Sequence, residues 1–555
     1  MMRSPSGRSS GDDGALKATL LSVLLAASAA SAQDGGADGG PLTPALSPQS
    51  QGEGERVMQV ESFEGAEGGP LTPTLSPALR GEGAQGVDAG PPPAESFIAP
   101  SGPSVRVYGS VRGEVSVDSR FDSPRNVPMA ENVAEGCFKA TLGADVKWNE
   151  HIRLVLEGRA QVRLVTQRDF DRAKGFFEPM LGDAYVDVYT SKVDVRVGNQ
   201  RIALGANAAM APADALNPRD LRESFMAGDL EDALLPVFAV RAQGELGQVK
   251  WLAAYAPFFT PHKYTVFGQD EALLQPGLGP VFDTRRIDPS IEDHIQDSVL
   301  ETKRPVPFAG DVALRVVSTG KFRLGGSWVW MNEKLPRVTM DPELSAVLSA
   351  QAAGRQVDPA MALSVLNRFQ AGETLYAGEY RRSHLFSLEG STILGPGQLD
   401  VDVTYSPRTT YFDDQFRPID KSTVTWVIGY SQASDSPLVY AISYMGMAVP
   451  DVAAQQQLIL IEPATAVGGA RTAFLHLFLG SISYPVWKDR FELSLRAAFE
   501  PIQRSFALGP KVTFQGVEGL KIWVAGEIYG GPSWSPLGYF HRNSKVLVGL
   551  RWDPF

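Results

Sequence analysis

The sequence predicts an all-β fold: a transmembrane antiparallel β-barrel of about 18 strands, with 16 as the alternative and short helices in the outer loops. Three observations carry this. Long segments alternate apolar and polar residues with period two, and several run well beyond the five or six residues usual for soluble strands. Short turns alternate with long loops. No stretch beyond the N-terminus has the roughly 18 unbroken apolar residues that a membrane helix needs, so a crossing would be made by strands.

Residues 1–32 read as a secretory signal peptide. Arg3, Arg8 and Lys17 give a basic start, Ala18 to Ala30 an apolar core, and Ala30-Ser31-Ala32 a small-residue cleavage site. Residues 33–103 form a Pro/Gly-rich leader with two near-copies, "GGPLTPALSPQSQGEGE" from Gly39 and "GGPLTPTLSPALRGEGA" from Gly68. Such composition cannot bury a core, so a disordered periplasmic leader is expected. It holds ten acidic residues against two arginines, −8 of the chain's −12, so the acidity says little about a substrate. The single cysteine, Cys137, forms no intrachain disulfide and reads as an ordinary strand residue.

Residues 104–555 are expected to form the barrel. In "VRVYGSVRGEVSV", Val105, Val107, Val111, Val115 and Val117 alternate with Arg106, Tyr108, Arg112 and Glu114. Phe138 to Trp148 and Ile152 to Leu164 repeat the pattern around the turn 149–151. Further alternating segments lie near 183–190, 193–199, 237–246, 248–256, 311–318, 321–331, 377–389, 398–406, 422–430, 438–446, 472–484, 490–499, 506–515, 519–529 and 545–553. Long connections cover about 165–182, 200–236, 257–310, 332–376, 407–421, 447–471 and 530–544. Tyr108, Trp148, Trp251, Trp328, Trp330, Trp426, Tyr484 and Trp552 suit interfacial girdles. A propeller would show a blade repeat of about 40–50 residues, and none is present. The end "KVLVGLRWDPF" resembles the C-terminal signal of Gram-negative outer-membrane barrels, which implies outer-membrane lipid around the wall and the barrel-assembly machinery as a partner through Phe555.

About 18 strands enclose more than side chains can fill, so a wet lumen is expected. With apolar faces on lipid, Arg106, Arg112, Lys139, Lys147, Arg153, Arg159, Arg163, Arg196, Arg241 and Lys250 point inward. Glu114, Asp145, Glu157, Asp187 and Asp194 oppose them. This cationic surplus either concentrates anions or is absorbed in mutual pairing.

The segment "RVGNQRIALGANAAMAPADALNPRDLRESFMAGDLEDALLPVFAV" resembles one in an uncharacterised family of Gram-negative outer-membrane porin-like barrels marked by an Asn-Pro-Arg-Asp loop. The matching residues are Gly198, Gln200, Gly205, Asp214 and Asn217-Pro218-Arg219-Asp220, with Leu204 where the family usually has Trp. The resemblance implies an exported porin-like protein moving apolar or lipid-like molecules. From the residues themselves, Asn217 is a helix N-cap, Pro218 suits the first turn, and Asp220 and Glu223 favour its dipole, so a short helix through about Met226 is expected. Folded into the lumen, this loop would put Asn217, Arg219, Asp220, Arg222 and Glu223 at a constriction. Asp341-Pro342 and Asp358-Pro359 mark two more helix starts, carrying the apolar stripes Leu344, Val347, Leu348 and Met361, Val365, Leu366, Phe369.

Enzyme motifs are missing: no Gly-x-Ser-x-Gly and no His-Glu-x-x-His occurs, and the six histidines are scattered. "EDHIQD" around His294 is a weak cation-binding candidate. No cofactor, metal or nucleic-acid partner is expected. The reading is an outer-membrane channel or transporter for small or lipid-like solutes, monomeric or homotrimeric. A non-conducting scaffold or adhesion barrel is the rival, and an outer-membrane hydrolase stands behind it.

Overall fold

The computed structural model describes residues 103–554 apart from 120–131, 168–172, 208–210, 224–225, 227–232, 265–303, 353–355, 372, 374, 414–416, 433–436, 454–457, 459–460, 462–464, 468–469, 533–534 and 542. Residues 1–102, on which the expected signal peptide and nearly all of the expected leader fall, lie outside the described residues, as do His294 and Phe555. The wall begins with β1 (Ser104–Asp118), β2 (Asn132–Lys147), β3 (Ile152–Gln167), β4 (Ala173–Tyr189), β5 (Val193–Gln200), β6 (Val237–Leu246), β7 (Val249–Ala256), β8 (Asp311–Ser318) and β9 (Phe322–Asn332). A small ladder of β10 (Arg337–Met340) and β11 (Tyr376–Glu379) then frames two helices, α1 (Pro342–Ala352) and α2 (Pro359–Gln370). The wall resumes with β12 (Arg382–Leu394), β13 (Gly397–Phe412), β14 (Pro418–Gln432) and β15 (Val439–Val449). After the short β16 (Thr465–Val467) come β17 (Ala470–Val486), β18 (Phe491–Glu500), β19 (Ser505–Val517), β20 (Leu520–Gly530) and β21 (Lys545–Trp552).

Each wall strand pairs antiparallel with its neighbours, and β1 pairs with β21 from Val111↔Trp552 to Asp118↔Lys545, so the sheet closes on itself. Of the 19 strands in that sheet, β16 pairs only with the start of β17, which leaves a closed barrel of 18. Closure removes the free edges that an open sheet would present. No helix among the described residues is long and apolar enough to cross a membrane.

Period-two alternation becomes a two-faced wall. On β21, Val546, Val548, Leu550 and Trp552 point outward; Val548 is 52% exposed while its neighbour Leu547 is 1% exposed. The outer face is a continuous apolar band, whereas inward positions carry buried polar groups such as Glu157, Gln161, Arg163 and Asp187. That inversion is what a hydrocarbon surround requires, because charge facing lipid is costly.

Three expectations change. The connection expected at 165–182 is mostly strand: β3 and β4 pair from Thr166↔Ala173 down to Ile152↔Val188, with a bulge opposite Leu156 and Gly158. The bulge flips the parity, so Phe177 and Leu181 lie on the same face as Ala184 and Val186, and the pattern vanishes from the sequence. The segment 377–389 is split at Tyr380-Arg381 into β11 and β12. Tyr108 leaves the outer girdle: its hydroxyl donates to inward-facing Glu157 at 3.2 Å. Both helices start where the Asp-Pro pairs lie, with Asp358 capping the Ala360 amide at 2.9 Å. Leu344, Val347 and Val365 are buried, while Leu366 stays exposed.

Candidate functional site: a segment folded into the barrel

Past Arg201 the chain does not continue outward from β5 but runs back inside. The Ala206 and Asn207 amides donate to Asp402 of β13 at 2.9 and 2.8 Å. Arg315 of β8 donates to the Gly205 carbonyl at 2.7 Å and is clamped by Glu389 of β12 at 2.7 Å. Gly205 has φ +100°, and a Cβ there would lie 2.3 Å from Ala211, so the turn admits only glycine. Ile202, Leu204, Ala213 and Leu216 pack on the small inward residues Ala239, Ala254, Ala313 and Val329 of β6–β9.

The Asn-Pro-Arg-Asp stretch is not a helix. The Asn217 carboxamide takes the Ile202 amide at 3.3 Å and donates to the Ile202 carbonyl at 3.0 Å. The Leu235 amide donates to the Pro218 carbonyl, and the Asp220 amide to the Ala233 carbonyl, at 2.8 and 2.7 Å. On the other side the Lys263 amide donates to the Arg219 carbonyl and the Leu221 amide to the Lys263 carbonyl, both at 2.8 Å. The Arg219 amide donates to His262 Nδ1 at 2.7 Å. Arg219 and Asp220 thus bridge to Leu234 antiparallel and to Lys263 parallel, the middle of a small three-segment patch. Donors that a helix would satisfy internally are taken by distant segments, so tertiary pairing overrides the helix-start signal.

Charge then ties this patch to the wall. Arg222 forks onto Glu178 of β4 at 2.6 and 2.9 Å and onto Asp220 at 2.7 and 2.6 Å. Lys263 also reaches Glu178, at 3.0 Å. Glu223 meets Lys139 of β2 at 2.8 Å and Arg163 of β3 at 3.1 Å. Across the barrel, Met226 is gripped at both ends of its backbone: its amide donates to Glu527 of β20 at 2.8 Å, and Arg496 of β18 donates to its carbonyl at 3.0 Å. Burial pushes Asp220 up, but Arg222, Arg163 and Lys263 outweigh it and hold the carboxyl below its usual range. Burial likewise opposes Lys139 and Arg163 at Glu223, with the same net lowering. At Asp214 burial wins over Arg219, 3.7 Å away, and the carboxyl is pushed up to about 6. Burial, with Arg219 and Lys334 nearby, pushes His262 down to about 3.

The wall cations are mostly in pairs. Arg112 meets Glu114 at 3.2 Å, Arg153 meets Asp145 at 2.9 Å, and Arg159 meets Glu157 at 2.6 Å. Arg196 meets Asp187 at 2.6 Å and stacks over Tyr185, while Arg241 is buried. Arg106 and Lys147 are exposed near the short-turn ends of β1 and β2. Sequence reasoning missed Glu135, 3.1 Å from Arg163, and Glu178, because both fell outside the predicted strand limits. For Glu135 the signal would have been a carboxylate in step with Cys137 and Lys139, whereas the bulge puts Glu178 out of step with the inward-facing row of Asp183, Tyr185 and Asp187. His262 and the anchoring role of Asp402 had none.

A family model described as "Protein of unknown function (DUF1302)" matches residues 112–268. No curated protein matches the chain. Among solved structures it is similar to Acinetobacter baumannii OccAB1, with TM-score 0.42, 7% identity, and coverage of 81% of this chain and 95% of that one. Salmonella typhi OmpF, solved with daunomycin, gives TM-score 0.37, 8% identity and coverage of 82% and 98%. The outer-membrane channel DcaP of Acinetobacter baumannii gives 0.35, 10%, 82% and 99%. The assignment of the fold rests on the closed strand ladder, not on these low scores.

Proposed function

We propose that the protein is an outer-membrane channel for small solutes whose lumen is narrowed by the segment from Arg201 to Met226. The observation that carries this is the reach of that segment. It leaves β5, is held by Asp402 on β13, by Glu178 on β4 and by Glu527 on β20, and so touches widely separated parts of a wall that would otherwise enclose a wide aqueous bore. Asn217 locks its fold, while Arg219, Asp220, Arg222 and Glu223 bring mixed charge to the narrowing. On this reading residues 1–32 direct export, residues 33–103 lie in the periplasm, and Phe555 addresses the assembly machinery. The solute class narrows toward polar molecules. Among the described residues, the inward apolar side chains on β14–β17, including Met445, Met447, Leu475 and Leu477, are buried in one cluster with Val452, Leu458 and Ile461, which argues against an exposed apolar track along that arc.

The test is single-channel recording of the purified, folded protein in planar bilayers. Discrete conductance steps well below those of an unobstructed bore are expected. Absence of current from a folded, heat-modifiable barrel would favour a non-conducting scaffold.

A further inference from the structure

The outer face of β9 and β12 changes character toward the end that carries the long connections. Up β12, exposed Leu388 and Phe386 give way to exposed His384 and then to Arg382. The register sets Trp330 of β9 opposite His384, and Trp328 opposite Phe386. The imidazole stacks beside both indoles, with ring centroids 6.0 and 6.3 Å away. Trp328 Nε1 donates to its Nδ1 at 3.3 Å, which leaves Nε2 to carry the ring proton. The Arg382 guanidinium lies 3.9 Å from the centre of the Trp330 ring, and its Nη2 donates to the Ala309 carbonyl and, at 2.6 Å, to that of Gly310. A second guanidinium arrives from β13, which carries Pro407 and Arg408 where β14 has only Ser422. Such a bulge re-aims a side chain, and Arg408 is exposed. The Ser383 and Ser406 hydroxyls both donate to the Arg408 carbonyl at 2.9 Å, and Arg408 Nη2 donates to the Arg382 carbonyl at 2.6 Å.

We infer that this rim of β9, β12 and β13 holds the phosphate of an outer-leaflet lipid headgroup, with Arg382 and Arg408 as its principal donors and His384 Nε2 as a third. This rests on the outer-membrane reading above and not on conduction. Among the described residues, Nε and Nη1 of both arginines have no acceptor, and neither arginine forms an ion pair. The neighbouring charges are closed elsewhere: Arg337 and Arg381 meet Glu379 and Asp420, Lys334 meets Asp311, and Arg417 meets Asp413. Glu333 is the carboxylate left near Arg408. Burial, with Asp420 beside it, pushes Glu333 up to about 7 against Arg408, Arg381 and Arg337, so at neutral pH it competes weakly for the guanidinium. Guanidinium groups pair strongly with phosphate oxygens. Here they stand where the apolar band ends in an aromatic girdle, so the anion they suit is one attached to an apolar body lying along Trp328, Phe386 and Leu388.

The test is native mass spectrometry of the purified, folded full-length protein in detergent, titrated with bis-phosphorylated lipid A and, separately, with its fully dephosphorylated form. The expected result is retention of the phosphorylated lipid with at least about tenfold tighter binding than the dephosphorylated one. Arg408→Gln, which gives up only one hydrogen bond to the chain, should remove most of that preference, and Arg382→Gln with Arg408→Gln should remove all of it. Gel mobility before and after heating identifies variants that still form the barrel. Equal binding of the two lipids overturns the proposal, as does a preference for phosphate that both folded variants keep. Displacement of the lipid by inorganic phosphate at equal concentration would make this a free-anion site and also overturn it. A fall in oligomer mass in the variants, with lipid binding unchanged, would assign the rim to a contact between copies of the chain instead. Failure of the channel reading would appear separately, as absence of current from a barrel that still binds the phosphorylated lipid.

Discussion

Arg222 joins two carboxylates from separate parts of the chain, Asp220 beside it and Glu178 on the wall, through paired contacts of 2.6–2.9 Å. Removing it leaves both carboxylates in a largely enclosed site with Lys263 as the nearer remaining cation. Arg222→Ala should therefore cost about 3–5 kcal/mol, and Arg222→Lys should recover only part because an ammonium cannot fork. Urea unfolding in lipid, read by gel mobility, tests this; an alanine variant as stable as wild type would show that the ion cluster adds nothing. Asn217 gives a sharper contrast. Its carboxamide both accepts from and donates to Ile202, so Asn217→Ala strands two backbone groups at a cost of about 1–3 kcal/mol. Asn217→Asp keeps the acceptor but sets an oxygen against the Ile202 carbonyl and buries a charge, so it should be at least as damaging as alanine in the same assay. An aspartate variant matching wild type would rule out the paired geometry.

At the scale of elements, what could be read from the sequence follows from where each element's bonds are made. Strands facing lipid on one side and water or charge on the other show their period, and the barrel's 18 strands were visible for that reason, as were α1 and α2 from their Asp-Pro starts. Elements whose form depends on partners far along the chain were not. β4 hides its first half behind a bulge, and Asn217 to Asp220 carries helix-start chemistry yet pairs with residues 233–235 and 262–263. The patch so formed has an acid response that can be signed. His262, at about 3, lies below its free value of about 6.5, so its contribution to stability is complete above about pH 6.5 and is lost as pH falls toward 3. Asp214, at about 6, lies above its free value of about 3.9; its ionisation costs stability above about pH 6, and acid relieves that cost. The two oppose each other between about pH 4 and 6. Asp214→Asn removes the relief, so relative to wild type the variant should lose up to about 1.4 kcal/mol more per pH unit on acidification through that window. Urea midpoints measured across the same range would decide it, and parallel slopes for the two proteins would refute the Asp214 assignment.

For the whole molecule, the barrel acts as a rigid frame and the inward-folded segment as a strut held at several points of that frame. The frame's ladder is closed from β1 to β21, so loosening one strut contact should not open the wall. Asp402 is suited to testing this, because it accepts the Ala206 and Asn207 amides from a strand remote from the charge network around Arg222. Asp402→Ala leaves both amides without that acceptor and frees one end of the strut while Glu178, Lys139 and Glu527 still hold the other parts. The variant should unfold at slightly lower urea, by about 1–3 kcal/mol, yet conduct more current with noisier open levels. The two readouts separate the structural role from the narrowing role. Lower stability with unchanged conductance would mean that the segment braces the barrel without setting its bore, whereas higher conductance places the narrowest point where Asp402 holds the chain against the wall.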